Sequence, residues 1–315
     1  QQTMSVTGTE TGASDGAGTR RVEPACGSSQ RVQKASRAGR NLPVAIGVGL
    51  ALAAINVVIL VYERRAWVSL AAVFVALGTL EVVRRLRGAG YVIPVIPLLI
   101  GGQATLWLTW PFGAVGALGG FGGTVLVCMI WRLLTPVGGA SAGSGAGPPP
   151  PANYLRDVSA TVFLAAWVPL FASFGALLVY PDHGSGQVFS LLLGVSLSDI
   201  GGYAVGALVG KHPMVPAISP KKSWEGMAGS MIFGTTATVL TVTYLVHKPA
   251  WIGVLLGLIL VITTTLGDLV ESQVKRDLGI KDMGSLIPGH GGVLDRFDGL
   301  LPSAVAAWIV FTLLP

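Results

Sequence analysis

Apolar residues in this chain come in long unbroken runs, and polar residues collect between the runs. Runs lie near 42–62, 67–83, 91–109, 112–131, 158–180, 187–209, 226–246, 250–268 and 299–315. Each is close to the roughly 20 helical residues that cross a hydrocarbon core of about 30 Å. A transmembrane barrel would instead show short segments of alternating character. The pattern predicts an all-α polytopic membrane protein of about nine transmembrane helices, because a helix satisfies its own backbone in lipid. The third and fourth runs meet at a very tight turn, Trp110-Pro111.

Composition agrees. Of 315 residues, 51% are hydrophobic and 11% charged, against about 25% charged in a soluble domain. Residues 1–40 are rich in Gly, Ser, Thr and charge and predict a disordered basic cytoplasmic tail. The N-terminal transmembrane helices then occupy 41–135, a Gly/Ser/Pro-rich cytoplasmic linker 136–157, and a catalytic transmembrane region with cytoplasmic loops 158–315. Cys26 and Cys128 lie far apart and suggest neither a disulfide framework nor a thiolate metal site.

The net charge of +6 reports topology here, not nucleic-acid affinity. With a cytoplasmic N-terminus and alternating spans, 18 of the 21 Lys and Arg fall inside, and only Arg64, Arg65 and Lys248 outside. One span more or fewer would scramble that separation, and the C-terminus is expected outside. Gly202, Gly206 and Gly210 repeat every fourth residue, as do Gly116 and Gly120, which permits close helix packing and leaves a dimer contact open.

The candidate chemistry lies in the last 120 residues of the chain. Asp199 sits inside an apolar run, where a carboxylate costs roughly 2.5–3.5 kcal/mol on insertion scales and calls for a polar cavity, a metal or a partner. The alternative is an aspartate close enough to the cytoplasmic end to reach the interface. Asp268 and Glu271 stand three apart at the end of the eighth run, and Asp295 and Asp298 do so in LDRFD before the ninth. Paired carboxylates on neighbouring helix ends repel unless a cation compensates, and hard oxygen ligands suit Mg²⁺. Interleaved with them are Lys221, Lys222, Lys275, Arg276, Lys281 and Arg296, and the loop PGHGGVLDR sets Gly289, Gly291 and Gly292 around His290. Glycines let backbone N–H groups approach an anion closely. Together these features suggest phosphoryl or nucleotidyl transfer on a lipid, where catalysis is mostly positioning and charge neutralisation. His290 is then better suited to orientation or phosphate contact than to proton abstraction, while His183 and His247 fall on the outer side.

The segment Gly267–Asp298, GDLVESQVKRDLGIKDMGSLIPGHGGVLDRFD, resembles the long motif of the phosphatidate cytidylyltransferase (CDP-diglyceride synthase) family. Its elements stand here as Ser272, Lys275-Arg276, Lys281-Asp282, Pro288 to Gly292, and Asp295-Arg296-Phe297-Asp298. SDIGGY (Ser198–Tyr203) and SPKKSWEG (Ser219–Gly226) resemble upstream motifs of the same family, with Gly202, Ser223 and Gly299 as small departures.

The resemblance implies attack of phosphatidate on the α-phosphorus of CTP in a cytoplasm-facing cavity of a bacterial inner (plasma) membrane, giving CDP-diacylglycerol and pyrophosphate. It implies metal ligation by Asp268, Asp295 and Asp298, with Asp199 beside them. Lys275, Arg276 and His290 join these as catalytic residues, and Asp199, Ser219, Lys221, Lys222, Lys281, Gly291, Gly292 and Arg296 as substrate-binding ones. The implied cofactor is Mg²⁺, with a second cation, monovalent or divalent, left open. The implied partners are CTP, phosphatidate, membrane lipids and a second copy of the chain, with no nucleic acid. Two rivals are weaker. A CDP-alcohol phosphotransferase would begin its aspartate pattern Asp-Gly-x-x-Ala-Arg, which is missing. A transporter using Asp199 as an intramembrane coupling site would show repeated broken helices, and the first half holds no second Asp-rich segment.

Overall fold

The computed structural model describes residues 42–135, 152–284 and 292–314. The expected tail, most of the expected linker, and the sequence from Ser285 through His290 to Gly291 lie outside the described residues. Helices α1 (Leu42–Tyr62), α2 (Ala66–Gly88), α3 (Val95–Trp107) and α4 (Thr109–Leu134) form the first half. In the second half, α5 (Tyr154–Ala165) continues through a π-helical turn, Ala166–Leu170, into α6 (Phe171–Leu177). Then follow α7 (Gly184–Val209), α8 (Trp224–Tyr244), α9 (Ala250–Asp277) and α10 (Leu300–Leu313).

Local sequence accounts for the interruptions. Pro169 lacks an N–H for the helical ladder, and the π turn absorbs it, so Tyr154–Leu177 runs on as one span. Between α3 and α4 the chain reverses over a few residues, where Gly113 takes φ 58°, ψ −141°, close to the expected turn at Trp110-Pro111.

Five segments are long and apolar enough to cross a membrane by themselves: α2, α4, Tyr154–Leu177, α7 and α9. The chain is therefore an all-α protein of membrane type, and large apolar side chains such as Val115, Leu126, Ile232, Leu240 and Ile262 are exposed as on lipid-facing helices. Helical segments stand at all nine expected places, but α3 and α10 have only 13 and 14 residues, about 20 Å at 1.5 Å per residue. A short antiparallel hairpin departs from the all-helical expectation: β1 (Pro213–Val215) pairs with β2 (Ser219–Ser223), matching Pro213 to Ser223 and Val215 to Ser219. Its strands are too short for a hydrophobic alternation to show in sequence.

Among the described residues, a small apolar core around Val68 and Leu106 and two large ones hold the bundle. One joins Leu60 of α1 to Leu191, Val242, Leu256 and Phe311 of α7 to α10. The other joins Val82 and Leu86 of α2 to Leu98, Leu164 and Trp167, and also to Met283 and Leu294 of the loop before α10. The α7–α8 contact is close because glycines face each other: a Cβ on Gly226 would come within 2.9 Å of the Gly202 carbonyl and 3.4 Å of Gly206 Cα. The repeated α7 glycines thus pack within the chain.

Polar contacts gather the helix ends into two groups. Arg64 donates to the carbonyls of Pro181 (2.6 Å) and Asp182 (2.8 Å). The His183 and His247 rings meet at 5.5 Å, and Lys248 donates to the Leu314 carbonyl at 2.6 Å. At the other ends of the same helices Arg132 pairs with Asp157 at 2.8 Å, and Arg156 lies 3.8 Å from the Tyr91 ring.

Candidate active site

Helix α9 is built to deliver two carboxylates. Its apolar stretch ends at Thr263–Thr264–Thr265, and Asp268 and Glu271 follow one turn apart on one face. Facing them is the 3₁₀ turn Leu294–Arg296, which leads through Asp298 into α10. The approach depends on two glycines. A Cβ on Gly267 would come within 2.4 Å of the Asp298 carbonyl, and one on Gly299 within 3.1 Å of Asp268 Oδ1. A larger residue at either place would part the acidic turn from α9.

The hairpin supplies the opposing charge. Lys222, near the end of β2, donates to Asp268 Oδ2 at 2.6 Å and reaches the Thr265 carbonyl at 3.4 Å. Directly after it, Ser223 caps α8 by accepting the Gly226 N–H at 3.1 Å, so Lys222 stands at a fixed junction. Arg276 does not line the cavity; its guanidinium donates to the Ile218 carbonyl, 2.8 Å from Nε, and ties the end of α9 to the hairpin.

One cavity of about 360 Å³ is lined by Asp199, Lys222, Asp268, Glu271, Ser272, Lys275, Asp295, Arg296 and Asp298. A second, of about 290 Å³, adjoins it through Asp199, Lys222 and Asp268 and continues along Tyr203, Met214, Met227 and Ser230. The structure thus brings Asp268, Asp295 and Asp298 together with Asp199, Lys222, Lys275 and Arg296. Lys281 is exposed and lines neither cavity, nor does Ser219. The Lys221 side chain, His290 and Gly291 lie outside the described residues. Gly292 directs its N–H to Asp295 Oδ2 at 2.9 Å.

Asp295 is the most engaged carboxylate. It accepts from Lys275 Nζ at 3.1 Å and from the Met283 N–H at 3.2 Å, besides Gly292. Burial alone would raise its pKa, but the neighbouring Glu271 carboxyl, the Gly292 N–H and Lys275 together hold it below the usual carboxylate value. Asp298 goes the other way: burial, then the charges of Asp268 and Glu271, push its carboxyl well above 3.8.

Five carboxylates thus face three cations around the larger cavity. Glu271 Oε2 accepts from Lys275, while Oε1 is buried with no hydrogen-bond partner among the described residues. Among the described residues no group of three His, Cys, Asp or Glu is close enough to hold a metal ion unaided. The donor set fits a hard divalent cation held by one or two carboxylates and completed by substrate oxygens and water, as Mg²⁺ is.

Sequence patterning overlooked Glu81. It lies in α2, 3% exposed, and its Oε2 accepts the Leu294 N–H at 3.0 Å. A carboxylate within an apolar run was the available signal, masked by the adjacent Arg84 and Arg85, which make it look like interfacial charge.

The chain is similar to known proteins along most of its length. The phosphatidate cytidylyltransferase of Mycobacterium tuberculosis strain H37Rv is 65% identical over 301 residues, covering 95% of this chain and 92% of its own. That of Mycobacterium leprae strain TN is 64% identical over 288 residues, 91% of this chain and 92% of its own. More distantly, the phosphatidate cytidylyltransferase of Staphylococcus saprophyticus is 38% identical over 134 residues, 42% of this chain and 52% of its own. The profile of the Cytidylyltransferase family matches residues 44–314, and the chain belongs to that family.

Proposed function

We propose that this chain transfers the cytidylyl group of CTP to phosphatidate, giving CDP-diacylglycerol and pyrophosphate. The observation that carries the proposal is the convergence of Asp268, Asp295 and Asp298 with Lys222, Lys275 and Arg296 on one cavity of a membrane protein whose close relatives bear that activity's name. The two cavities, sharing Lys222 and Asp268, suit two substrates that meet at a common wall. Asp199 opens onto that wall, so it needs no separate part as a transporter's coupling site.

In the proposed reaction an oxygen of the lipid phosphate forms a bond to the α-phosphorus of CTP. The bond from that phosphorus to the α,β-bridging oxygen breaks, and pyrophosphate leaves with the electron pair. A phosphomonoester has its second pKa near about 6, so the nucleophile is largely ionised at neutral pH and needs no strong general base. Lys275, Arg296 and Lys222 neutralise phosphate charge, and the fixed Lys222–Asp268 and Lys275–Asp295 pairs keep both lysines pointed into the cavity. Asp268 and Asp298, with Asp295 beside them, would hold Mg²⁺, which supplies charge neutralisation at the phosphates.

The proposal includes orientation: nine spans, the N-terminus and the catalytic cavity in the cytoplasm of a bacterial cell, and the C-terminus outside. Supporting it, the Lys and Arg residues outside the spans, six of them in the N-terminal tail, separate 18 to 3 under that arrangement. It also includes a homodimer, whose contact must lie away from Gly202 and Gly206, since α8 covers them.

The test is direct. Purified protein given phosphatidate, CTP and Mg²⁺ should form CDP-diacylglycerol and pyrophosphate, should prefer CTP among the nucleoside triphosphates, and should stop on addition of EDTA. Asp268→Ala should cost about 10²-fold or more in kcat, the scale on which removing one preorganised charge acts. Absence of CDP-diacylglycerol from the wild-type protein sinks the proposal; EDTA-insensitive turnover removes its metal.

A further inference from the structure

Helix α2 lies outside the segment that carries the acidic motif, yet it grips that segment at two points. Glu81 Oε2 accepts the N–H of Leu294 at 3.0 Å. Leu294 opens the 3₁₀ turn that carries Asp295 and Arg296, and that turn has no side-chain cap of its own. The first N–H groups of a helical turn have no partner inside it, so Glu81 provides from another helix what a capping residue would. One turn along α2, Arg85 Nε donates to the Met283 carbonyl at 2.6 Å. The N–H of the same Met283 goes to the Asp295 carboxylate. Met283 and Leu294 are both fully buried, in the apolar core they share with Val82 and Leu86 of α2.

The fit leaves no slack. A Cβ on Gly292 would come within 2.8 Å of both Glu81 oxygens and 2.7 Å of Asp295 Oδ2. Burying a carboxylate in an apolar helix is unfavourable unless something compensates. Here Glu81 Oε1 is left without a hydrogen-bond partner among the described residues, and Oε2 is spent on the backbone of the acidic turn. Packing alone would favour an apolar residue at that place.

We propose that Glu81 is a positioning residue, which fixes the direction in which the turn presents Asp295, Arg296 and Asp298 to the cavity, with Arg85 holding the opposite edge through Met283. The inference rests on the reaction proposed above for what is assayed, but its geometry can be judged without that reaction.

The experiment uses the full chain and compares Glu81→Ala, which removes the acceptor, with Glu81→Gln, which keeps a carbonyl acceptor without the charge. Misplacing a catalytic group by about 1 Å costs on the order of 10²-fold, so Glu81→Ala should lower kcat by about that factor with KM for CTP changed less than about threefold. Glu81→Gln should restore kcat to within about tenfold of wild type, as a neutral acceptor still satisfies the N–H. A second readout needs no turnover. In a Cys26→Ser background, with Cys128 buried, Val293 is 2% exposed, so Val293→Cys should react slowly with a maleimide. Adding Glu81→Ala should speed that labelling more than about tenfold, and adding Glu81→Gln should not. Should Glu81→Ala fail to fold, Arg85→Gln loosens the same turn from its other edge and should speed the labelling likewise. Equal kcat in the Ala and Gln variants, or labelling unmoved by loss of the acceptor, overturns the proposal. A wild-type protein that makes no CDP-diacylglycerol fails the assigned reaction alone, because the labelling comparison still decides the positioning role.

Discussion

Asp295 and Asp298 stand three residues apart, yet their surroundings drive them in opposite directions. Spacing alone presents them as equals; what separates them is tertiary, since Asp295 collects Lys275 and two backbone N–H groups while Asp298 is half-buried facing Asp268 and Glu271. The sign of each effect on stability follows by linkage. Asp298, raised above its ordinary 3.8, favours the folded state fully below that value and loses the contribution as pH rises through its elevated pKa. Asp295, lowered from the same 3.8, contributes above that value and loses its part as pH falls through the depressed pKa. In chelator, where no cation competes with the proton, raising pH from about 4 upward should therefore lower Tm through Asp298. Asp298→Asn should make that limb shallower, and Asp295→Asn should leave it and flatten the one below. Melting curves by tryptophan fluorescence across the range measure both. A slope above 3.8 left unchanged by Asp298→Asn would mean that Asp298 contributes nothing to it.

At the scale of elements, the helices were legible because each is a long apolar run, and the hairpin was not, because strands of 3 and 5 residues carry no periodicity. The hairpin matters nonetheless, since it brings Lys222 from the end of α7 to Asp268 on α9. The junction of α4 and α5 was equally hidden. Arg132 looked like one more cytoplasmic charge, but it is 1% exposed, with Nε and Nη2 both on Asp157 Oδ2 at 2.9 and 2.8 Å. Asp157 Oδ1 also accepts the Val92 N–H at 3.2 Å, so one ion pair joins α4, α5 and the approach to α3. Removing one partner from such a pair leaves a buried charge unpaired, at a cost of about 3–5 kcal/mol. Asp157→Ala should thus lower Tm steeply while leaving KM for CTP in the surviving folded protein unchanged, because the pair lines neither site cavity. Replacing both partners, Arg132→Met with Asp157→Leu, should recover much of the loss. A double variant no more stable than Asp157→Ala would show that the pair is needed for more than mutual neutralisation.

For the whole molecule, counting charges between apolar runs and following polar contacts between helix ends lead to the same partition. Arg64 meets Pro181 and Asp182, His183 meets His247, and Lys248 meets Leu314. These positions fall in the segments that the charge count leaves outside. Arg85, Arg132, Arg156 and Lys222 make their contacts at the opposite helix ends, in segments counted as inside. Helix length cannot decide the matter, since α3 and α10 are shorter than the hydrocarbon core, and what places them is contact with longer neighbours. Labelling can decide it. In a Cys26→Ser background, Cys128 is 2% exposed and stays silent, so single cysteines report their own side. Asp182→Cys and Lys248→Cys should react with a membrane-impermeant maleimide in intact cells, and Arg87→Cys and Lys281→Cys only after permeabilisation. If Asp182→Cys and Lys248→Cys react on different sides, α7 and α8 do not both cross the membrane. If all four sites are reversed, the lysines and carboxylates of the site face away from cytoplasmic CTP, and the proposed reaction has no supply of substrate.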